Sequence, residues 1–207
     1  MGEERPPPDG ELVEEEPPWD AWTPAQAAAR LLGAAARWCV AGGWALDLFA
    51  GQESRPHADL EIAVPAGQFP AVARALAGFD LEVVGMGHRW PPGSPALAGT
   101  YQTWVRDRGG GAYRLDIFRE PHDGDTWICR RDHGIRRPYD EVIARTPDGI
   151  PYLVPEIALL FKARHARDKD NADFTATLPR LSAASRDWLA AALSRVHPGH
   201  RWLARLR

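Results

Sequence analysis

The chain is poor in sulfur. Its 207 residues include two cysteines and two methionines. Two cysteines cannot build the framework that staples a small secreted domain. Cys39 and Cys129 both sit in apolar, strand-like stretches and read as buried free thiols of a reducing compartment, a single Cys39–Cys129 bridge being the alternative. Long apolar runs are also missing, and nothing reaches the length needed to cross a bilayer, so no membrane partner is expected. Positive charge is not in excess. The formal net charge is -3, which argues against a general nucleic-acid or membrane-surface binder. The first residues, MGEERPPPDGELVEEEPP, are acidic and proline-rich, unlike a targeting peptide, so the expected location is cytoplasmic. No internal repeat is visible.

What is present is enough apolar material for a core, 44% of residues, arranged in mixed periodicity. Residues 1–19 bury too little apolar surface to offset the entropy of ordering and are expected to be a disordered tail. Thr23 as N-cap and Pro24 at the first helical position open a helix expected to run to about Ala36. Trp38–Ala41 reads as a buried strand. The Gly42-Gly43 pair turns it into a short helix, Trp44–Ala50, closed by Gly51. A polar loop leads to a strand over Asp59–Val64. A helix is expected over Gln68–Ala77, a strand over Leu81–Val84, and a Pro/Gly-rich loop over 86–99. Tyr101–Val105 and Tyr113–Phe118 read as antiparallel strands, with Trp127–Cys129 a further short one. Val142–Arg145 and Ile150–Leu153 flank Thr-Pro-Asp-Gly, a hairpin signal. Helices follow over 155–167, about 170–177 and 182–196. The expected class is α+β: a mixed sheet with helices on one side over residues 20–154, then a helical C-terminal region over 155–207.

The chemistry sits in AGGWALDLFAGQESRPHADLEIAV, Ala41 to Val64. Strand side chains alternate, so Asp59 and Glu61 share one face while Leu60, Ile62 and Val64 share the other. Two adjacent carboxylates repel each other unless a divalent cation lies between them. A third, Asp116 in Tyr-Arg-Leu-Asp-Ile-Phe, faces away from the core residues Leu115 and Ile117. If its strand lies near Asp59–Val64, three carboxylates converge. Two can hold Mg²⁺, and the third can help hold it or accept a proton from an attacking hydroxyl. The glycine pair lets backbone N–H groups approach phosphate. This set suits phosphoryl or nucleotidyl transfer, where positioning and charge neutralisation carry most of the work.

These residues resemble the nucleotidyltransferase superfamily typified by DNA polymerase β: a Gly-Gly turn, an acid-x-acid strand, and a distant acid on a neighbouring strand. More narrowly, Gly-Gly-Trp-Ala, Asp47, Arg55-x-His57 and Asp59-Leu60-Glu61 are similar to aminoglycoside 2''-nucleotidyltransferases. The narrower likeness covers about 25 residues and the looser one most of 21–180. Many members have Ser where this chain has Trp44, and the aminoglycoside-type enzymes usually have Asp where it has Glu61. The resemblance implies that Gly42 and Gly43 contact a triphosphate, that Asp59 and Glu61 bind Mg²⁺, and that Asp116 is a ligand or general base. It implies an NTP donor, ATP by default, and a hydroxyl acceptor such as an aminoglycoside-like molecule. The alternatives are a toxin-like transferase acting on tRNA or protein, and an inactive nucleotide-binding or interaction protein.

Further candidates surround this core. Lys162, His165 and Lys169 are expected on one side of a helix, with Lys162 the leading phosphate counter-charge. Lys169, Asp170 and Asp173 match a Lys-Asp-x-x-Asp element that borders the active site in related enzymes. Arg55 can bind phosphate, and His57 is expected to support its loop. Arg130, Arg131, Arg136 and Arg137 form a basic run, read either as a solvated face or as a contact for phosphate or RNA. Glu120-Pro-His-Asp-Gly-Asp125 lacks zinc-ligand spacing and reads as a turn.

Overall fold

The computed structural model describes residues 9–13 and 18–206. The chain divides into two compact units that interleave in sequence, residues 1–38 with 58–119 and residues 39–57 with 120–207. The boundary expected at 154/155 does not coincide with this division: the hairpin before it belongs with the helices after it.

In the first unit, with elements numbered along the chain, six strands lie side by side in the order β1 (Glu11–Leu12), β5 (His88–Trp90), β4 (Asp80–Gly85), β6 (Gln102–Arg106), β7 (Tyr113–Glu120) and β3 (Glu61–Pro65). The pairs β1·β5, β5·β4, β4·β6 and β6·β7 are antiparallel. Alternation sorts the side chains. Leu60, Ile62, Val83, Val105, Leu115 and Ile117 are fully buried and belong to the apolar face, in the unit that also buries Ala27 and Leu31 of α1 (Pro24–Leu31) and Phe69 and Val72 of α3 (Phe69–Ala75). Helix α1 begins as expected: Thr23 and Gln26 exchange hydrogen bonds with each other's backbone N–H in a capping box. It stops at Leu31 instead of about Ala36, in a turn that runs into Gly33. The expected 86–99 loop is partly regular. Met86 and Gly87, at φ 52° and 74°, form the two-residue turn of a β4–β5 hairpin, and α4 (Ala96–Gly99) follows.

The N-terminal expectation is corrected where it can be judged. Residues 1–8 and 14–17 lie outside the described residues. Glu11–Leu12 pairs with β5, and Arg89 forms an ion pair with Glu11 at 2.9 Å. Trp19 bridges to Tyr113 and packs against the rings of Trp104 and Tyr113. Aromatic burial and backbone pairing thus offset an ordering cost that composition alone leaves unmet.

The second unit contains a mixed three-stranded group. Strand β12 (Pro151–Leu153) is parallel to β2 (Cys39–Val40) and antiparallel to β11 (Ile143–Arg145), the latter through the expected Thr-Pro-Asp-Gly turn. A second sheet runs β10 (Arg136–Pro138), β9 (Thr126–Ile128), β8 (His122–Asp123). Five helices complete the unit: α2 (Gly42–Ala50), α5 (Pro155–Lys162), α6 (Asp168–Thr177), α7 (Ala183–Val196) and α8 (Leu203–Leu206). Phe174 of α6 stacks on Trp202 with ring centroids 4.3 Å apart. The helix expected over 155–167 ends at Lys162, because Ala166 adopts φ 43° and breaks it from α6. Cys39 and Cys129 are buried free thiols. Among the described residues no helix is long and apolar enough to cross a membrane.

Candidate functional site

Asp116 is central to the first unit's polar face. It lies mid-strand in β7, opposite Trp104 of β6, and its backbone N–H donates to Leu60 O at 2.8 Å. That bond ties β7 to the residue between Asp59 and Glu61. Only 4% of Asp116 is exposed. Burial first, then the charge of Glu61 and more weakly that of Asp59, hold its carboxyl well above the usual carboxylate range, against the hydrogen bond from Gln102. The three acids therefore sit within electrostatic reach of one another. Asp59 precedes β3 rather than lying in it, so the acid-x-acid pair straddles the strand's start.

The fit to a divalent cation can be judged from Asp116 itself. Its Oδ2 accepts from Gln102 Nε2 at 2.8 Å. Its Oδ1 is buried with no hydrogen-bond partner among the described residues. The Trp104 indole N–H is close enough to favour the charged form weakly, yet its Nε1 is also buried without a bond of proper geometry. The unpartnered oxygen of Asp116, with the charges of Glu61 and Asp59 acting on the same carboxyl, is hard-oxygen chemistry of the kind Mg²⁺ takes. Among the described residues, no group of three or more His, Cys, Asp or Glu side chains is placed to hold a metal ion.

The other expected residues, Gly42, Gly43, Arg55, Lys162 and Lys169, all fall in the second unit. Gly42 and Gly43 are the first two residues of α2, not a turn ahead of it. Gly42 has φ 60°, which suits glycine. Gly43 is constrained differently: a Cβ there would lie 2.5 Å from His57 Cε1 and 2.7 Å from Arg55 Nη2. His57 is fixed from both sides. Its Nε2 lies 2.6 Å from Asp47 Oδ2, and its ring packs on Trp44 at 4.6 Å. Ser54 Oγ donates to the other Asp47 oxygen at 2.6 Å. Asp47, on α2, thus closes the loop that carries Arg55.

Arg55 reaches Asp173 of α6 with two hydrogen bonds, from Nε and Nη2, at 3.2 Å each. Lys162 Nζ lies 2.9 Å from Asp173 and 3.4 Å from Asp170. Asp170 also accepts the Arg167 backbone N–H at the start of α6, where negative charge suits the helix dipole. Burial opposes the charged forms of Asp173 and Asp170, but their cationic partners overcome it and hold both carboxyls below the usual range. Gly43, Arg55, Asp173 and Lys162 therefore form one connected group. The expected alignment of Lys162, His165 and Lys169 on one helix is not found, because Ala166 interrupts it. Lys169 is exposed, and no ion pair joins it among the described residues.

The arginine run is largely engaged within its unit. Arg130 pairs with the buried Glu120. Arg131 donates to the carbonyls of Leu160 and Phe161, and burial lowers its pKa to about 10. Arg137 binds Glu156 at 2.8 Å. Two residues of the acid face escape sequence reasoning, Gln102 and Trp104. Alternation puts the two on one side of β6, but only the β6–β7 register brings that side next to Asp116.

Residues 25–86 match the model of the aminoglycoside-2''-adenylyltransferase family. None of the curated proteins matches the sequence significantly. Among solved structures, the chain is similar to the lincosamide antibiotic adenylyltransferase LnuA, bound to lincomycin. The identity is 21% and the TM-score 0.51, with 73% of this chain and 91% of that one covered. It is also similar to ANT(2'')-Ia. In the complex with adenylyl-2''-tobramycin the identity is 14% and the TM-score 0.55, over 83% and 95% of the two chains. In the solution structure of that antibiotic-resistance factor the TM-score is 0.56 at 14% identity, over 83% and 89%.

Proposed function

We propose that this chain is a nucleotidyltransferase that moves a nucleoside monophosphate from an NTP, with ATP the expected donor, to a hydroxyl of a small-molecule acceptor, a reading supported by the family matched over residues 25–86 and by the fold shared with adenylyltransferases. The observation that carries this reading is the grouping of Asp59 and Glu61 with the buried Asp116, whose carboxyl feels both. In this reading Asp59 and Glu61 hold Mg²⁺, and Asp116 is either a third ligand or the group that takes the acceptor's proton. Bound Mg²⁺ would neutralise charge on the triphosphate and its leaving pyrophosphate. In this reading Gly42 and Gly43 offer backbone N–H groups to phosphate and Lys169 supplies positive charge, with Arg55 and Lys162 doing so only by sharing the charge that Asp173 already takes from them.

An aminoglycoside-like acceptor is favoured by the family matched over residues 25–86. A nucleic-acid acceptor draws no support from the arginine run, because Arg130, Arg131 and Arg137 are committed to partners in their own unit. The test is incubation with Mg²⁺, labelled NTPs and a panel of aminoglycosides, lincosamides and total tRNA. Label transferred to a small antibiotic supports the reading, label on tRNA replaces the acceptor, and no Mg²⁺-dependent nucleotide binding removes the reading altogether.

A further inference from the structure

We propose that Gln102 and Trp104 are a positioning pair for Asp116: the Gln102 amide fixes one carboxylate oxygen, the Trp104 indole flanks the other, and together they set the oxygen that Asp116 presents. The inference rests on the reading of Asp116 above and extends it to two residues outside the acid set.

A buried carboxylate on a strand can rotate about its last torsion, and its two oxygens are chemically equivalent until something distinguishes them. Gln102 distinguishes them. Its Nε2 donates to Oδ2 at 2.8 Å, and Oδ1 is left without a partner among the described residues. The donor is neutral, so it orients the carboxylate without cancelling the charge that Asp116 needs toward a cation or a proton. An Arg or Lys in that place would form an ion pair and tie up the carboxylate. The geometry comes from register. Gln102 pairs with Phe118 and Trp104 with Asp116 across β6 and β7, so two alternate residues of β6 flank one residue of β7.

Trp104 restrains the other side. Its ring lies against Trp19 at 5.8 Å and Tyr113 at 5.2 Å, which limits its freedom to turn. Its Nε1 and the Oδ1 of its cross-strand partner Asp116 are both buried without a hydrogen-bond partner. A buried donor and a buried acceptor left open each carry a desolvation cost, and a group that accepts from one and donates to the other would satisfy both. A hydroxyl has that dual character.

The test compares Gln102→Met, which keeps length and loses the amide, with Trp104→Phe, which keeps a packed ring and loses the N–H. Gln102→Asn, which keeps an amide too short to reach, serves if Gln102→Met does not fold. Turnover and Mn²⁺ affinity in the presence of ATP are measured for each, with folding checked by circular dichroism. Outer partners of metal-binding groups typically matter about 10–100-fold. Gln102→Met is expected to lose that much in kcat and to weaken Mn²⁺ binding, with the acceptor KM little changed. In an Asp116→Asn background it is expected to change Mn²⁺ affinity no further, because it acts through Asp116. Trp104→Phe is expected to lower kcat while leaving the melting temperature near that of the wild type. A folded Gln102→Met protein with wild-type Mn²⁺ affinity overturns the proposal, as does an equal loss in the Asp116→Asn background. If the wild type transfers nucleotide to no acceptor, the functional reading fails, and the Mn²⁺ comparison still decides the positioning role.

Discussion

His57 Nε2 and Asp47 Oδ2 stand 2.6 Å apart, with side chains only 3% and 5% exposed. This bond ties the loop that carries Arg55 to helix α2, and Gly43 lies directly against the His57 ring. The need for glycine at 43 therefore arises inside the protein, from His57 and Arg55, before any phosphate is considered.

That relationship changes what a Gly43 substitution should do. A Cβ at 43 must displace a ring held by Asp47 and Trp44, so Gly43→Ala should destabilise by roughly 1–3 kcal/mol, the usual cost of overpacking. His57→Ala should also destabilise, by leaving Asp47 with one bond fewer. The double variant should recover part of the Gly43→Ala loss, since the clash disappears. Urea unfolding of the three variants checks this, and strictly additive losses would refute the proposed contact.

The Asp173 network predicts a pH dependence with a definite sign. Its carboxyl lies below the usual range when folded, because Arg55 and Lys162 outweigh burial. Such a group contributes stability that is fully present above the unfolded carboxyl value of about 4 and lost as pH falls through the lower folded value. Asp170 acts in the same window. Melting temperature measured from about pH 2 to 6 should therefore fall on the acid side more steeply for the wild type than for Asp173→Asn. At neutral pH that variant should be less stable by roughly 3 kcal/mol, near the lower end for a broken buried pair, since Arg55 keeps some access to water. Parallel acid limbs would show that the network adds no stability.

Trp19 bears on the tail. Its ring packs on Trp104 and Tyr113, and Pro18 O and Asp20 N–H bond the Tyr113 backbone at 2.9 and 3.0 Å. Deleting residues 1–19 should lower the melting temperature by several degrees, and Trp19→Ala alone should reproduce part of that loss. An aromatic pair alone is worth about 0.5–1.5 kcal/mol beyond its area, and a shift of about 4–8 °C accompanies each kcal/mol only in smaller domains than this. A Trp19→Ala protein that melts with the wild type would mean that the Trp19 contacts do not stabilise the fold.

Much of the acid face was legible because it depends on alternation. Period two put Asp59 with Glu61, and Asp116 opposite Leu115 and Ile117, without knowledge of any partner strand. Thr23-Pro24 and Thr-Pro-Asp-Gly carry their own local chemistry, so the start of α1 and the β11–β12 hairpin could be read directly. The end of α5 at Lys162 could not: a left-handed alanine such as Ala166 has no local signal, so the first helix was expected to reach 167 and the helical register assumed for Lys162, His165 and Lys169 does not hold. The β4–β5 turn was hidden similarly, since Met86 occupies a position where Asn or Asp would have announced it. The docking of Glu11 and Trp19 depends on Arg89 and Tyr113, which lie far away in sequence, and composition pointed the wrong way. Gln102 was passed over because a glutamine on a strand carries no charge pattern, and its meaning appears only with the β6–β7 register.

The last prediction separates the roles of the acids. If Asp59 and Glu61 act chiefly by holding metal, Asp59→Asn should weaken both Mg²⁺-NTP binding and turnover. Asp116 is different, being buried, bound by Gln102 through one oxygen only, and open at the other. If it takes the acceptor's proton, Asp116→Asn should reduce transfer by about 10²–10⁴-fold, the usual worth of a general base, while Mg²⁺-NTP binding weakens less than in Asp59→Asn. Substitution by Asn preserves size and removes a carboxyl that burial already disfavours in its charged form, so the Asp116→Asn protein should be at least as stable as the wild type near neutral pH. That sign follows from the raised carboxyl: a group whose folded value lies above its unfolded value destabilises the fold once pH exceeds both. Calorimetric binding, turnover and melting temperature for the two variants give three independent readings. An Asp116→Asn protein that is more stable yet transfers at the wild-type rate would remove Asp116 from proton transfer and leave it a structural acid.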